Sequence, residues 1–208
     1  NNATITVTID NIHERKQAEL QLRHLALHDP LTGLHNRYHF DQELSRICKP
    51  KHTHSDIEHA LIYIDLDHFK IINDSQGHHQ GDLVLKDVAQ LFKDNIEKEH
   101  LVCRIGGDEF AVILKNMNLL DAHLIAEGVC SAIEQHTFKS NEQSYTISCS
   151  IGLTQITVNN NNPNECLKQA DIALYIAKNL GRNLVHCYSK EDAHNNTLQT
   201  GLEWGHEI

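Results

Sequence analysis

The chain has 208 residues, of which 40% are hydrophobic and 22% charged, enough for one well-cored soluble domain with chain to spare. Its formal charge of -10 gives a nucleic-acid backbone or an anionic lipid surface the wrong sign for attraction, so neither is an expected partner. No apolar run approaches the roughly 18–20 residues of a bilayer span, so no membrane insertion is expected in this segment, and six dispersed cysteines without a C-x-x-C pair predict reduced, buried thiols and a cytoplasmic location.

In chain order, "ATITVTID" alternates β-branched residues and reads as the last strand of an upstream domain, with Asp10 and Asn11 placed to cap the next helix. Ile12 to Leu27 has helical spacing, with Ala18, Leu22 and Leu25 on one stripe; packing on its own domain and service as a dimerising connector stand level. His28 to Arg37 is turn chemistry, "YHFDQELSRIC" a helix, and Lys49 to Glu58 a loop. The histidines of "KHTH" with His59 match no zinc spacing. "HALIYIDLD" predicts a central strand covered on both faces. After a short turn, "GDLVLKDVAQLFKDNI" predicts a helix buried through Leu83, Val84, Val88, Leu91 and Phe92. Leu101 to Ile105 and Glu109 to Leu114 form a hairpin around a glycine pair expected to supply positive φ. A helix over Leu119 to His136, a long strand "YTISCSIGLTQI", a helix over Pro163 to Leu180 ended by Gly181, and a strand "NLVHCY" complete an α+β pattern: a mixed central sheet flanked by helices.

The chemistry concentrates in "RIGGDEF". Two adjacent carboxylates, Asp108 and Glu109, follow two glycines at a hairpin tip, which makes sense if a hard cation with oxygen preference sits there beside phosphates. A second acidic site is then required, and Asp65 and Asp67 close the strand "LIYIDLD" where sheets open into ligand crevices. For Asp67, capping the next helix and a functional role stand level; Asp65 shares the face of Tyr63, where an unpaired charge is costly. Gly106 and Gly107 also let phosphate oxygens approach the backbone closely.

"RIGGDEF", preceded by "DLDHFKIINDSQGHHQGD" and followed by "ADIALYIAKNLGRN", resembles the GGDEF family, whose active members are diguanylate cyclases; the match covers roughly His28 to Tyr188 in order. The resemblance implies a ferredoxin-like fold of the nucleotidyl cyclase and polymerase-palm type. It implies Mg²⁺, with Mn²⁺ as an alternative, held by Asp65, the Leu66 carbonyl, Asp108 and Glu109, with Glu109 also activating a 3′-hydroxyl. It implies guanine readers at Asn73 and Asp82, phosphate cations at Lys70, Lys178 and Arg182, and pocket walls at Leu31, Leu34 and Phe69. A carboxylate suits guanine's N1–H and N2 amino donors and is left unpaired by adenine. Lys178 and Arg182, four apart, are expected to share a helical face. The implied reaction joins two GTP into cyclic di-GMP with loss of pyrophosphate, each subunit of a homodimer holding one GTP. The alternative is a silent GTP-binding module that regulates a neighbouring domain.

One departure is visible. Where product-inhibited members carry R-x-x-D, this chain has Glu97 and His100, so no inhibitory site of that kind is expected. The flanks resemble a PAS exit and an EAL lead-in, "LEWGHEI". The expected organisation is thus residues 1–10 as the end of an upstream domain, 11–27 as connector, 28–188 as GGDEF domain and 189–208 as tail or linker, the whole cut from a longer signalling protein.

Overall fold

The computed structural model describes residues 15–19, 22, 24–49, 57–140 and 143–193. The expected upstream strand and the EAL-like tail lie outside the described residues, as does part of the connector. Among the described residues, no helix is long and apolar enough to cross a membrane.

Strand β1 (His59–Leu66) lies at the centre of a five-stranded sheet. It pairs antiparallel with β3 (Glu109–Leu114) on one side and with β6 (Cys149–Ile156) on the other. β2 (Leu101–Gly106) extends the β3 edge as the hairpin, and β7 (Val185–Cys187) joins β6 in parallel, giving the order β2-β3-β1-β6-β7. A separate two-stranded ribbon joins β4 (Phe138–Ser140) to β5 (Gln143–Tyr145).

Both faces of β1 are covered, because its residues alternate between two apolar cores. Ala60, Ile62, Ile64 and Leu66 meet Val84, Val88 and Phe92 of a long helix and Ala122, Ala126 and Ile133 of another. Leu61 faces the other way, toward Phe40, Leu44, Cys166 and Ala170. The helices are α1 (Arg37–Ile47), α2 (Phe69–Gln76), α3 (His78–Asn95), α4 (Leu119–Gln135) and α5 (Pro163–Asn179). Asparagine caps start three of them: the side chains of Asn36, Asn118 and Asn162 each accept a first-turn amide. A β-carbon at Gly152 would overlap the Ala170 carbonyl and the Leu174 amide, so this glycine lets α5 lie directly on β6.

Four sequence expectations need correction. The "short turn" after β1 contains α2, which is only 8 residues long and follows His68, a left-handed residue (φ 59°) without a capping side chain. The long strand over "YTISCSIGLTQI" is broken at 146–148, where the chain turns from β5 to β6. Leu83 is an exposed hydrophobic residue; the buried stripe of α3 runs through Gly81, Val84, Leu85, Val88, Ala89 and Phe92. Finally, α5 stops at Asn179, and Arg182 lies beyond it with left-handed backbone (φ 64°). Its N–H donates to the Ala177 carbonyl (3.1 Å) past Gly181, the closing bond of a Schellman turn, so it shares no helical face with Lys178.

The connector reaches the domain through stacked imidazoles. Ring centroids of His24 and His28 are 4.0 Å apart, of His28 and His35 4.3 Å, and of His35 and His39 4.4 Å. The Asn36 side-chain amide donates to the Ala26 carbonyl (2.9 Å) across the same junction. Leu22 and Leu25 of the connector are exposed.

Candidate active site

Antiparallel register brings the two acidic segments together. Asp65 stands directly opposite Glu109 in the β1/β3 ladder and opposite Ser150 in the β1/β6 ladder. The Leu66 N–H donates to the Asp108 carbonyl (3.3 Å), closing the same sheet end. Asp65, Asp108 and Glu109 are all half-buried.

Their charges are unequally compensated. Lys178 Nζ, from the end of α5, lies 2.8 Å from Asp65 Oδ1. Burial nevertheless pushes the Asp65 carboxyl above its ordinary range; Lys178 opposes this, and the charges of Asp108 and Asp67 add to it. Among the described residues, no cation lies within ion-pair distance of Asp108 or Glu109. The Tyr63 hydroxyl donates to Glu109 Oε2 (3.4 Å), and burial, with the Glu109 charge, pushes that phenol up to about 12. Hard oxygen donors at one sheet end, matched by a single ammonium, fit a divalent magnesium-type cation.

The hairpin glycines divide their work. Only Gly107 takes positive φ (52°), which the turn requires. Gly106 has no such need, and a β-carbon on it would meet nothing within 4 Å in this chain. Its bare backbone is therefore not demanded by the fold, but it suits close approach of a phosphate. Arg104, inside the same signature, turns away from the acids. Its Nε and Nη2 donate to the Gly107 carbonyl (3.0 and 2.8 Å), and its Nη1 bridges to both oxygens of Asp29 (3.2 Å each). Burial works against the Asp29 carboxylate, but hydrogen bonds from Thr32 and the Arg104 charge outweigh it and hold its pKa below the usual value.

The predicted guanine readers come from α2 (Asn73) and α3 (Asp82), which pack on each other. Asn73 is partly buried, and a β-carbon at Gly81 would overlap its Oδ1 and come within 3.1 Å of Phe69 Cζ. Asp82 follows Gly81 and is exposed. Phe69 and Leu34 belong to the core, with Leu31 packed at its margin. Lys70 and Arg182 are exposed. A cavity of about 430 Å³ between α2 and 144–148 is bordered by Asp67 but by none of the metal, guanine or phosphate residues that the resemblance implies.

Asp67 caps no helix, since His68 precedes α2, and it borders the cavity between α2 and 144–148. It is buried, accepting from Ser150 Oγ (2.7 Å), Ser148 Oγ (2.7 Å) and the Asn183 amide (3.1 Å). These partners, with Arg104, Asp29 and Tyr63, are not marked as site residues by the sequence. Only Asp29 carries a local signal, since Asp-x-x-Thr is a side-chain turn pattern.

In comparison with known proteins, residues 26–184 match the family model described as "Diguanylate cyclase, GGDEF domain". The chain belongs to the GGDEF family. This GGDEF domain is 37% identical over 188 residues to the probable diguanylate cyclase DgcE of Escherichia coli K12, covering 90% of the chain and 17% of DgcE. The coiled coil and GGDEF domain of DgcB from Caulobacter crescentus, solved in complex with c-di-GMP, superposes with a TM-score of 0.81 at 27% identity, covering 89% of this chain and 98% of that one. The GGDEF domain of TpbB (YfiN) from Pseudomonas aeruginosa gives 0.76 at 34% identity, covering 82% and 99%. The fold is thus the mixed-sheet, palm-type fold of GGDEF domains. The chain spans under half the length of the curated relatives it matches.

Proposed function

We propose that this GGDEF domain is an active diguanylate cyclase, condensing two GTP into cyclic di-GMP with release of two pyrophosphates, one GTP being held by each subunit of a homodimer. The observation that carries this is the register that sets Asp65 against Glu109, with Asp108 in the adjoining turn and the Lys178 ammonium paired with Asp65. Residues 28–188 form the catalytic unit and 11–27 the connector, whose exposed Leu22 and Leu25 offer an apolar stripe to a second copy. The cytoplasm, where GTP is made available, is the fitting compartment.

Asp65, the Leu66 carbonyl, Asp108 and Glu109 are the groups that would hold Mg²⁺ or Mn²⁺. When bound, such an ion stabilises charge that develops on the transferring phosphoryl group. Glu109 takes the proton of the 3′-hydroxyl, the 3′-oxygen bonds to the α-phosphorus of the partner's GTP, and the bond to the bridging oxygen breaks to release pyrophosphate. Lys70, Lys178 and Arg182 neutralise phosphate oxygens, Lys178 leaving Asp65 to do so. Asn73 and the exposed carboxylate of Asp82 select guanine through its paired donors.

The test is to incubate the protein with GTP and Mg²⁺ at dimerising concentration and separate the nucleotides. Cyclic di-GMP that disappears in Glu109→Gln and in Asp65→Asn supports the cyclase. Tight GTP binding without product would instead establish the regulatory module.

A further inference from the structure

Asp67 is a buried carboxylate, and among the described residues no cation lies within ion-pair distance of it. Among the described residues its partners are neutral donors: Ser150 Oγ on Oδ1, and Ser148 Oγ with the Asn183 N–H on Oδ2. Its own N–H donates to the Ser148 carbonyl (2.9 Å), so carboxylate and backbone both tie the end of β1 to the turn before β6. A buried charge is costly unless fully hydrogen-bonded, and a helix start needs no such group here, since His68 rather than Asp67 precedes α2.

The Asn183 contact has a particular geometry. Arg182 and Asn183 both hold left-handed backbone (φ 64° and 50°), which disfavours any residue with a β-carbon and arginine more than asparagine. Four bonds hold the pair there: Cys130 Sγ–H to Asn183 Oδ1 (3.6 Å), Arg182 N–H to Ala177, the Asn183 side chain to Glu134 Oε1 (2.6 Å), and Asn183 N–H to Asp67. Of these, only the last reaches β1. It joins residues 116 apart in sequence, and it lands two positions after Asp65 and one after Leu66.

We infer that Asp67 is a positioning residue: it locks the turn that presents Arg182 to the strand end that presents Asp65 and Leu66, setting the phosphate cation against the metal-holding oxygens. The role rests on the cyclase reading for what Arg182 touches, and on the structure for the lock. Asp67 touches no substrate; it acts through Arg182.

The experiment is a double-mutant cycle on affinity for a non-hydrolysable GTP analogue with Mg²⁺, using wild type, Asp67→Ala, Arg182→Ala and the double variant, each checked by thermal melting. Arg182→Ala is expected to weaken binding about tenfold, as loss of a charge-assisted phosphate contact does. Asp67→Ala is expected to weaken it similarly, and the double variant to bind within about twofold of Arg182→Ala, because both changes remove the same contact. Asp67→Asn keeps an acceptor for the Asn183 N–H and a donor that the Ser150 hydroxyl can accept, so it is expected to restore most of the affinity. Should Asp67→Ala fail to fold, Ser148→Ala loosens the same carboxylate, and its smaller loss is expected to vanish in the Arg182→Ala background. Losses that multiply in the double variant, or an Arg182→Ala protein that binds as wild type does, would overturn the positioning role while leaving the cyclase reading intact. A wild type that binds no analogue would overturn both.

Discussion

At Gly81 the first side-chain atom would strike Asn73 Oδ1 and crowd Phe69, although the glycine sits inside a helix where alanine is intrinsically better by about 1 kcal/mol. Turning Asn73 aside costs about the same, roughly 0.5–1.5 kcal/mol. Gly81→Ala is therefore expected to leave the melting temperature nearly unchanged while lowering GTP affinity about tenfold, the loss of one specific base contact; equal losses of stability and affinity would contradict this. Arg104 is the opposite case. Its side chain and that of Asp29 are mostly buried, and Arg104→Ala would remove the cation from a partly buried carboxylate, which keeps its Thr32 hydrogen bonds, together with both donors to the Gly107 carbonyl. Urea unfolding is expected to show a loss of about 2–3 kcal/mol, the range for charged hydrogen bonds. At this scale the acids of the site are legible in the sequence, since carboxylates crowded at a glycine turn, and again at a strand end, repel one another unless a cation joins them. The Lys178 contact with Asp65 is not, because it depends on where α5 ends against β1, 113 residues away in the chain.

Among the elements, the imidazole column between connector and domain carries a pH dependence. Burial, then the neighbouring rings of His28 and His39, lowers the His35 pKa from its usual value to about 4, and burial with His24 lowers that of His28. Both groups are more readily protonated unfolded than folded, so their contribution is intact above about pH 6.5 and lost as pH falls toward 4. The melting temperature is expected to drop across that window, and less steeply in His35→Phe, which keeps a ring in the stack; identical slopes would exclude the column as the cause. The element map shows why some of the fold is readable in the sequence and some is not. Strands β1 and β3 and helix α3 announce themselves by period, and helices α4 and α5 by period and asparagine caps. Helix α2 has neither length nor a cap, and the break at 146–148 serves a tertiary need, the Ser148 and Asp67 contact, that leaves no trace in hydrophobic alternation.

For the whole molecule, a central acidic strand pair sits between two cores, with a cation, Lys178, delivered from the end of α5. At the positions where R-x-x-D would stand, His100 is buried and its Nδ1 accepts the Lys115 N–H (3.2 Å), which commits the proton to Nε2. With Glu97 and Glu99 beside it, this corner repels phosphates. Added cyclic di-GMP is accordingly expected to leave initial rates unchanged through this corner, and Glu97→Ala to alter nothing; inhibition relieved by that substitution would contradict it. The central claim is that carboxylates crowded at the end of β1 and β3 await a divalent ion arriving with GTP. Anomalous diffraction from crystals grown with Mn²⁺ and a non-hydrolysable GTP analogue tests it most directly. The account predicts a manganese peak among Asp65, Asp108 and Glu109 with the base beside Asn73 and Asp82; a peak elsewhere, or a base bound away from those two residues, would contradict it.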